Sequence, residues 1–256
     1  MTLVLVGVWL SALGVCDLGR ASHDTVGKPR RAACLGAGLL VLLVGLLALS
    51  PGPGRLILLL VLLGGLLAGW LSASDRALDP AAGRRRGRFR GLAFASVAGG
   101  TLVSVLGVQA VDRVPFWPAA LDRTVVAHWT VSEVVVAAGV VVAQLATVNI
   151  VVRLLLDAVG VPATTNEKRL KGGRVLGPME RVFIVGLGAV GDLTAAAVVV
   201  AAKGLLRFPE LQRAQRGDAR HGVPPDGPSD VTEYFLIGSF ASWLLALAGA
   251  ALIHLA

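Results

Sequence analysis

The sequence predicts an all-α fold, a polytopic transmembrane helical bundle of about seven spans forming one integral membrane domain over residues 1–256. Three observations carry this. Apolar runs of bilayer length recur along the chain, polar connections separate them, and basic residues collect in those connections. Apolar residues make up 55% of the chain and charged ones 16%, which excludes a disordered polymer even at a net charge of +8.

The first run, about 2–18, lacks the basic start and small-residue cleavage site of a signal peptide, and reads as a short membrane helix. Val15 before Cys16 is a poor site for lipoprotein processing. Spans two and three, 33–50 and 56–73, carry no charged side chain, and PGPGR between them makes a tight hairpin. The loop 74–90 holds the densest positive charge. Span four, 91–111, is rich in small residues that let helices approach closely. The connection that follows carries Phe116 and Trp117 between prolines, an interfacial anchor.

Span five, 126–156, is polar for a membrane helix. Glu133 and Gln144 share one face, while Asn149, Arg153 and Asp157 follow a four-residue spacing on another, the last two pairing at the helix end. A polar loop at 157–178 follows. NEKRLKGGR within it lacks the GxxxxGK[ST] pattern of a phosphate loop, so no nucleotide or other cofactor is expected. Cys16 and Cys34 form no CxxC and have no adjacent His, so neither a metal site nor a disulfide framework is expected.

Span six, 179–203, is the focus of the functional reading. Arg181, Asp192 and Lys203 recur at three-turn spacing and would share one stripe of an unbroken helix. Asp192 would then lie at membrane depth, where a carboxylate is costly and marks a functional site. Gln144, Thr194, Ser96, Thr101 and Ser104 are its expected polar neighbours, in a pocket between spans four, five and six that also draws on Glu133. Glu180 and Arg181 are expected to join span five or the end of span seven, and Glu233 to lie near Lys203 and Arg207. After a polar loop at 204–232, span seven covers 233–255. Gly238, Ser242, Ala246 and Ala250 form a small-residue edge along it, suited to packing or to homo- or hetero-oligomers.

With seven spans, the connections after spans one, three and five carry twice as many Lys and Arg as the other three. The expected orientation is N-terminus outside and C-terminus cytoplasmic in a bacterial plasma (inner) membrane. The partners implied are the lipid bilayer and anionic headgroups. No nucleic-acid motif occurs, which speaks against that partner class. The loop after span six conflicts with the orientation, because it alone supplies most of the basic residues on the wrong side. Either it crosses despite its charge or the sixth segment is re-entrant, and the absence of a Pro or Gly pair favours a full crossing.

GGRVLGPMER (172–181), AAKGLLRFPEL (201–211) and TEYFLIGSFASW (232–243) occur in order over the C-terminal third. In these motifs the chain resembles actinobacterial members of a bacterial multi-pass membrane family classed as domain of unknown function 3307. The matching positions are Glu180, Arg181, Lys203, Arg207, Glu233 and Tyr234. The resemblance implies a membrane bundle and no activity. The family's His four residues before an Asp-Phe is absent, since Leu13 and Leu18 flank Asp17 at those places.

Three functions stay open. One is a small proton- or cation-coupled transporter or channel around Asp192. Another is a non-catalytic membrane partner, sensor or effector. The third is an enzyme on a lipid-linked phosphate, which the lack of paired carboxylates or His–carboxylate sets does not favour. The five motif charges serve equally well as interfacial anchors or as a salt-bridged network.

Overall fold

A computed structural model of the chain describes residues 3–20, 27–107, 129–161, 173–192, 194–198, 201–202, 205 and 230–256. Eight helices are named here: α1 (Val4–Leu18), α2 (Lys28–Leu49), α3 (Pro53–Leu78), α4 (Arg86–Leu106), α5 (Val131–Leu145), α6 (Thr147–Ala158), α7 (Gly173–Ala189) and α8 (Asp230–His254). No strand occurs among the described residues, so the all-α expectation holds. Four helical stretches are long and apolar enough to cross a membrane, Lys28–Leu49, Pro53–Leu78, Ala81–Leu106 and Glu233–His254, and α5 with α6 makes a fifth if the bent pair is one span. Seven uninterrupted spans are not what the described residues show.

Local sequence explains most helix ends. Pro29 stands in the first turn of α2 and Pro53 in that of α3, where a missing N–H costs nothing. Ser50, at φ 45°, ends α2 in the left-handed region. Thr130 and Glu133 form a capping box at the start of α5. The Thr130 hydroxyl accepts from the Glu133 N–H (3.2 Å), and the Glu133 carboxylate accepts from the Thr130 N–H (2.5 Å). Span five is not one helix, because Ala146 (φ −129°, ψ −61°) breaks it and α6 departs at 49°.

Two expected loops are partly helical. Over 74–90, α3 continues to Leu78 and α4 starts at Arg86 across a 3-10 turn, Pro80–Arg85. The helix outruns its apolar stretch because Ser74 and Asp75 find partners in Arg20 and Arg31. Over 157–178, α7 begins at Gly173 and takes Pro178 into its length. The interfacial anchor at 112–123 and most of 204–232 lie outside the described residues.

The helix around which the others pack is α1. Leu5, Trp9, Ala12, Leu13 and Cys16 are fully buried among α2, α3 and α4. Against α5 the two backbones touch. A Cβ on Gly139 would lie 2.3 Å from the Gly7 carbonyl oxygen, and one on Gly14 would lie 2.7 Å from the Val142 carbonyl carbon. Only hydrogen fits at such a contact. Trp9 occupies the place of a Cβ on Gly100 of α4. Outward positions are apolar instead, among them Leu40, Val44, Ile57, Leu58, Val61, Leu102, Leu106, Leu236 and Phe240. An inside and an outside that are both apolar fit a bilayer as solvent.

Cross-helix contacts fix the directions. Gly7 meets Val135 and Gly14 meets Val142, so α5 runs parallel to α1. Gly38 meets Ala12 and Gly45 meets Val8, so α2 is antiparallel to α1. Gln144 meets Leu245, Val140 meets Gly249 and Leu156 meets Gly238, so α8 is antiparallel to α5 and α6. Arg181 reaches Ser242, and Gly188 packs on Ala250, so α7 runs parallel to α8. A single crossing between two successive spans would have made them antiparallel. α7 and α8 therefore start at the same end of the bundle.

Leu3 and Ala256 pack on the same apolar cluster, which contains Val136 and Ile253. The described chain thus begins and ends at one end of the bundle, and the expected placement of the two termini on opposite sides does not follow from this arrangement. The other end carries Arg20, Lys28, Arg30, Arg31, the 79–90 turn, Asp157 and the starts of α7 and α8.

Candidate functional site

Two buried polar centres stand out. The first closes the basic end of the N-terminal half. Asp17 is fully buried, and its carboxylate accepts from Arg20 Nε (2.8 Å) and from Trp70 Nε1 (3.2 and 2.9 Å to the two oxygens). Arg20 also donates to Ser74 Oγ (2.8 Å), and its guanidinium lies 5.7 Å from the Trp70 ring centroid. Beside it, Arg31 pairs with Asp75, and Arg30 donates to the Gly19 carbonyl (2.7 Å). Each acid in this knot is matched by a base. Nothing in the spacing of Asp17 and Trp70 announces the contact, since 53 residues separate them.

The second centre lies in the C-terminal half, where α5 breaks. Helix ends leave carbonyls without intrahelical partners. Here the Gln144 carbonyl, one residue before the end of α5, is taken by Arg181, which donates to it from Nε (3.2 Å) and Nη2 (2.8 Å). Nη2 also donates to Asn149 Oδ1 (2.5 Å), and Nη1 to Ser242 Oγ (3.0 Å). One guanidinium ties α5, α6 and α8 to α7. It is 2% exposed, and all four of its hydrogen bonds go to neutral oxygens.

Ser242 is the midpoint of α8, about 18 Å from either end at helical rise. Arg181 therefore lies halfway along the helices it joins, and the expectation that it marks a span end is corrected. Residue 179 is not where the helix starts, because α7 begins six residues earlier. The joining of Arg181 to span five is as expected.

Asp192 is not at depth. The helix ends in a Schellman turn. Gly191 is left-handed at φ 85°, its N–H donates to the Gly188 carbonyl (3.0 Å), and that of Asp192 donates to the Leu187 carbonyl (2.9 Å). Gly188 packs on Ala250 and its carbonyl accepts from His254 Nε2 (2.8 Å), which puts Asp192 at the end of the bundle that holds Ala256. Asp192 is exposed, and its carboxylate accepts from the Ala195 N–H (2.9 Å), capping the next helical stretch. The break also dissolves the stripe over Arg181, Asp192 and Lys203, which needed an unbroken helix.

The expected pocket does not form around Asp192. Thr194 is exposed, and Ser96, Thr101 and Ser104 each donate to the carbonyl four residues back in their own helix. Glu133 is spent in the capping box. Gln144, buried, donates to the Leu245 carbonyl (2.8 Å), while its own Oε1 is buried without a partner among the described residues. Asp157 pairs with Arg90 (3.0 Å) and Arg86 (3.8 Å) from the start of α4, in place of the expected pairing with Arg153. Glu180 sits beside Arg181 on α7, half-buried, and Glu233 and Tyr234 lie half-buried at the start of α8. Lys203 and Arg207 lie outside the described residues.

The small-residue edge of α8 is filled from within the chain. Gly238 meets Leu156, Ser242 meets Arg181 and Ala250 meets Gly188, while Ala246 is fully buried. Sequence reasoning missed the capping box, although T-x-x-E before an apolar run announces one. It also missed Gly191–Asp192, a glycine stop followed by an acidic start. No protein-family model, curated protein or solved structure matches the chain. The described residues form an all-helical fold with four or five apolar helices of membrane-crossing length.

Proposed function

We propose that this is a multi-pass protein of the bacterial plasma membrane that moves a small anionic solute through its C-terminal half. The observation that carries the proposal is Arg181, a buried cation at mid-depth clamped onto the freed carbonyl of a broken helix. Interrupted helices at membrane depth are tolerated where they are buried in protein or line a path, and ionisable groups there mark solute routes. The sign of the solute follows from the charge. A cation passing Arg181 would meet repulsion in a medium of low dielectric, whereas an anion would be attracted. With Asp192 exposed at one end, the proton- or cation-coupled reading loses its carboxylate.

The direction of the helices supports a particular orientation. Among the described residues, Arg20, Lys28, Arg30, Arg31 and the arginines of 84–90 gather at one end of the bundle, and Arg55 lies at the other. The positive-inside rule assigns the basic end to the cytoplasm and both ends of the described chain to the outside. A reporter fused after Ala256 is expected to be active outside the cell, and activity only inside would overturn the orientation.

The non-catalytic partner reading keeps one observation in its favour, since protein oxygens already occupy Arg181. Flux from proteoliposomes separates the two. Chloride or a larger monovalent anion should leave vesicles holding the purified protein faster than potassium does, and Arg181→Met should abolish the difference. Absence of anion flux from correctly folded protein, or flux unchanged in the variant, would leave the partner reading in front.

A further inference from the structure

The basic end contains a stretch whose charges divide cleanly. In RRRGRFR (84–90), Arg86 and Arg90 are one turn apart and both reach Asp157 of α6. Arg88 lies about 200° round the helix from each and faces outward. Arg84 and Arg85 precede the helix, just after Gly83, whose left-handed φ of 50° turns the chain there. Arg84, Arg85 and Arg88 are exposed and make no ion pair among the described residues. No acidic residue stands in the first turn of α4, and the one carboxylate that reaches it, Asp157, is taken by Arg86 and Arg90.

What the three arginines sit above identifies their partner. Arg88 and Leu92 are one turn apart, and Leu92 is 57% exposed. The same outward stripe of α4 continues through Ala95 and Ala98 to Leu102 and Leu106, all exposed. Apolar residues exposed along a membrane-crossing helix face acyl chains. A cation one turn beyond the first of them stands at headgroup level, where its stem lies on apolar surface and its charge reaches phosphate. An acidic protein or nucleic acid would meet the charges but not the apolar stripe continuous with them.

We propose that Arg84, Arg85 and Arg88 form a binding site for the phosphate of an anionic phospholipid, whose chains lie along the outer stripe of α4. The site does not rest on the transport reading, since it is on the opposite half of the molecule from Arg181. Its test is lipid retention by the full chain, purified in detergent and mixed with phosphatidylglycerol or phosphatidylcholine, read by native mass spectrometry.

The wild-type protein should hold phosphatidylglycerol in preference to phosphatidylcholine, and R84Q/R85Q/R88Q should weaken that binding by about tenfold or more. The variant with lysine at all three positions should keep most of it, and R55Q, at the opposite end, should match wild type. Helicity and melting temperature of the glutamine variant should stay near wild type, since none of the three arginines is in a described ion pair. Equal retention of the two lipids, or undiminished phosphatidylglycerol binding in the glutamine variant, would overturn the proposal. Displacement of the lipid by millimolar inorganic phosphate would also overturn it, by showing that the anion alone is recognised.

Discussion

The two halves of the molecule bury charge in opposite ways. In the N-terminal half, Asp17 and Arg20 neutralise each other near the bundle end, and Trp70 and Ser74 use up their remaining capacity. In the C-terminal half, Arg181 lies at mid-depth and is solvated by a carbonyl, an amide oxygen and a hydroxyl. A paired charge near an end needs only to be satisfied. Arg181 is held by dipoles with the Glu180 carboxylate beside it, so a mobile anion meets the part of its field that Glu180 leaves uncancelled. The contrast separates a structural knot from a site, and four substitutions probe it.

The largest effect should come from Asp17→Ala. It strands a guanidinium that is 3% exposed and removes the acceptor of the Trp70 N–H, so a loss of about 3–5 kcal/mol is expected. Thermal unfolding in nanodiscs measures it, and a loss under about 1 kcal/mol would mean that Arg20 finds water. Next comes Gly139→Ala at the seam between the halves. Its Cβ meets backbone rather than a flexible side chain, so α1 and α5 must separate, at about 1–3 kcal/mol.

Arg181→Met should cost a similar or smaller amount, about 1–3 kcal/mol, because its hydrogen-bond acceptors are neutral and the adjacent Glu180 is only half-buried. Its signature is the loss of anion flux at a melting temperature that still permits folding. A cost equal to that of Asp17→Ala with no functional readout would make both centres structural. The smallest effect belongs to Asp192→Asn. Asparagine caps a helix as well as aspartate does, so stability should change by less than about 0.5 kcal/mol and flux should not change. Lost flux in this variant would return the site to Asp192.

Much of the fold was legible in the apolar runs, but the candidate site was not. Hydropathy locates Leu, Val and Ala stretches well, because a bilayer demands them everywhere alike. It places helix ends poorly where polar side chains find partners in the protein, and so it stopped span three before Ser74 and started span six after Arg174. That second error moved Arg181 from mid-depth to an edge and Asp192 from an edge to mid-depth. The turn at Gly191 was readable from local chemistry. The contact of Asp17 with Trp70 was not, since it depends on how three helices pack.

The enclosure of α1 has a consequence for how the protein is made. Synthesis delivers α1 first, yet the partner for its glycine face, α5, follows more than a hundred residues later. At roughly 5–20 residues per second that interval is on the order of ten seconds. During it, α2, α3 and α4 can gather on the Trp9 side of α1, while Gly7 and Gly14 present bare backbone to lipid. The groove they form is a vacancy on the nascent bundle, shaped for one helix. Its closure by Gly139 is the step that joins the two halves, and a chain stalled before that step would expose the vacancy to whatever small-residue helix passes by.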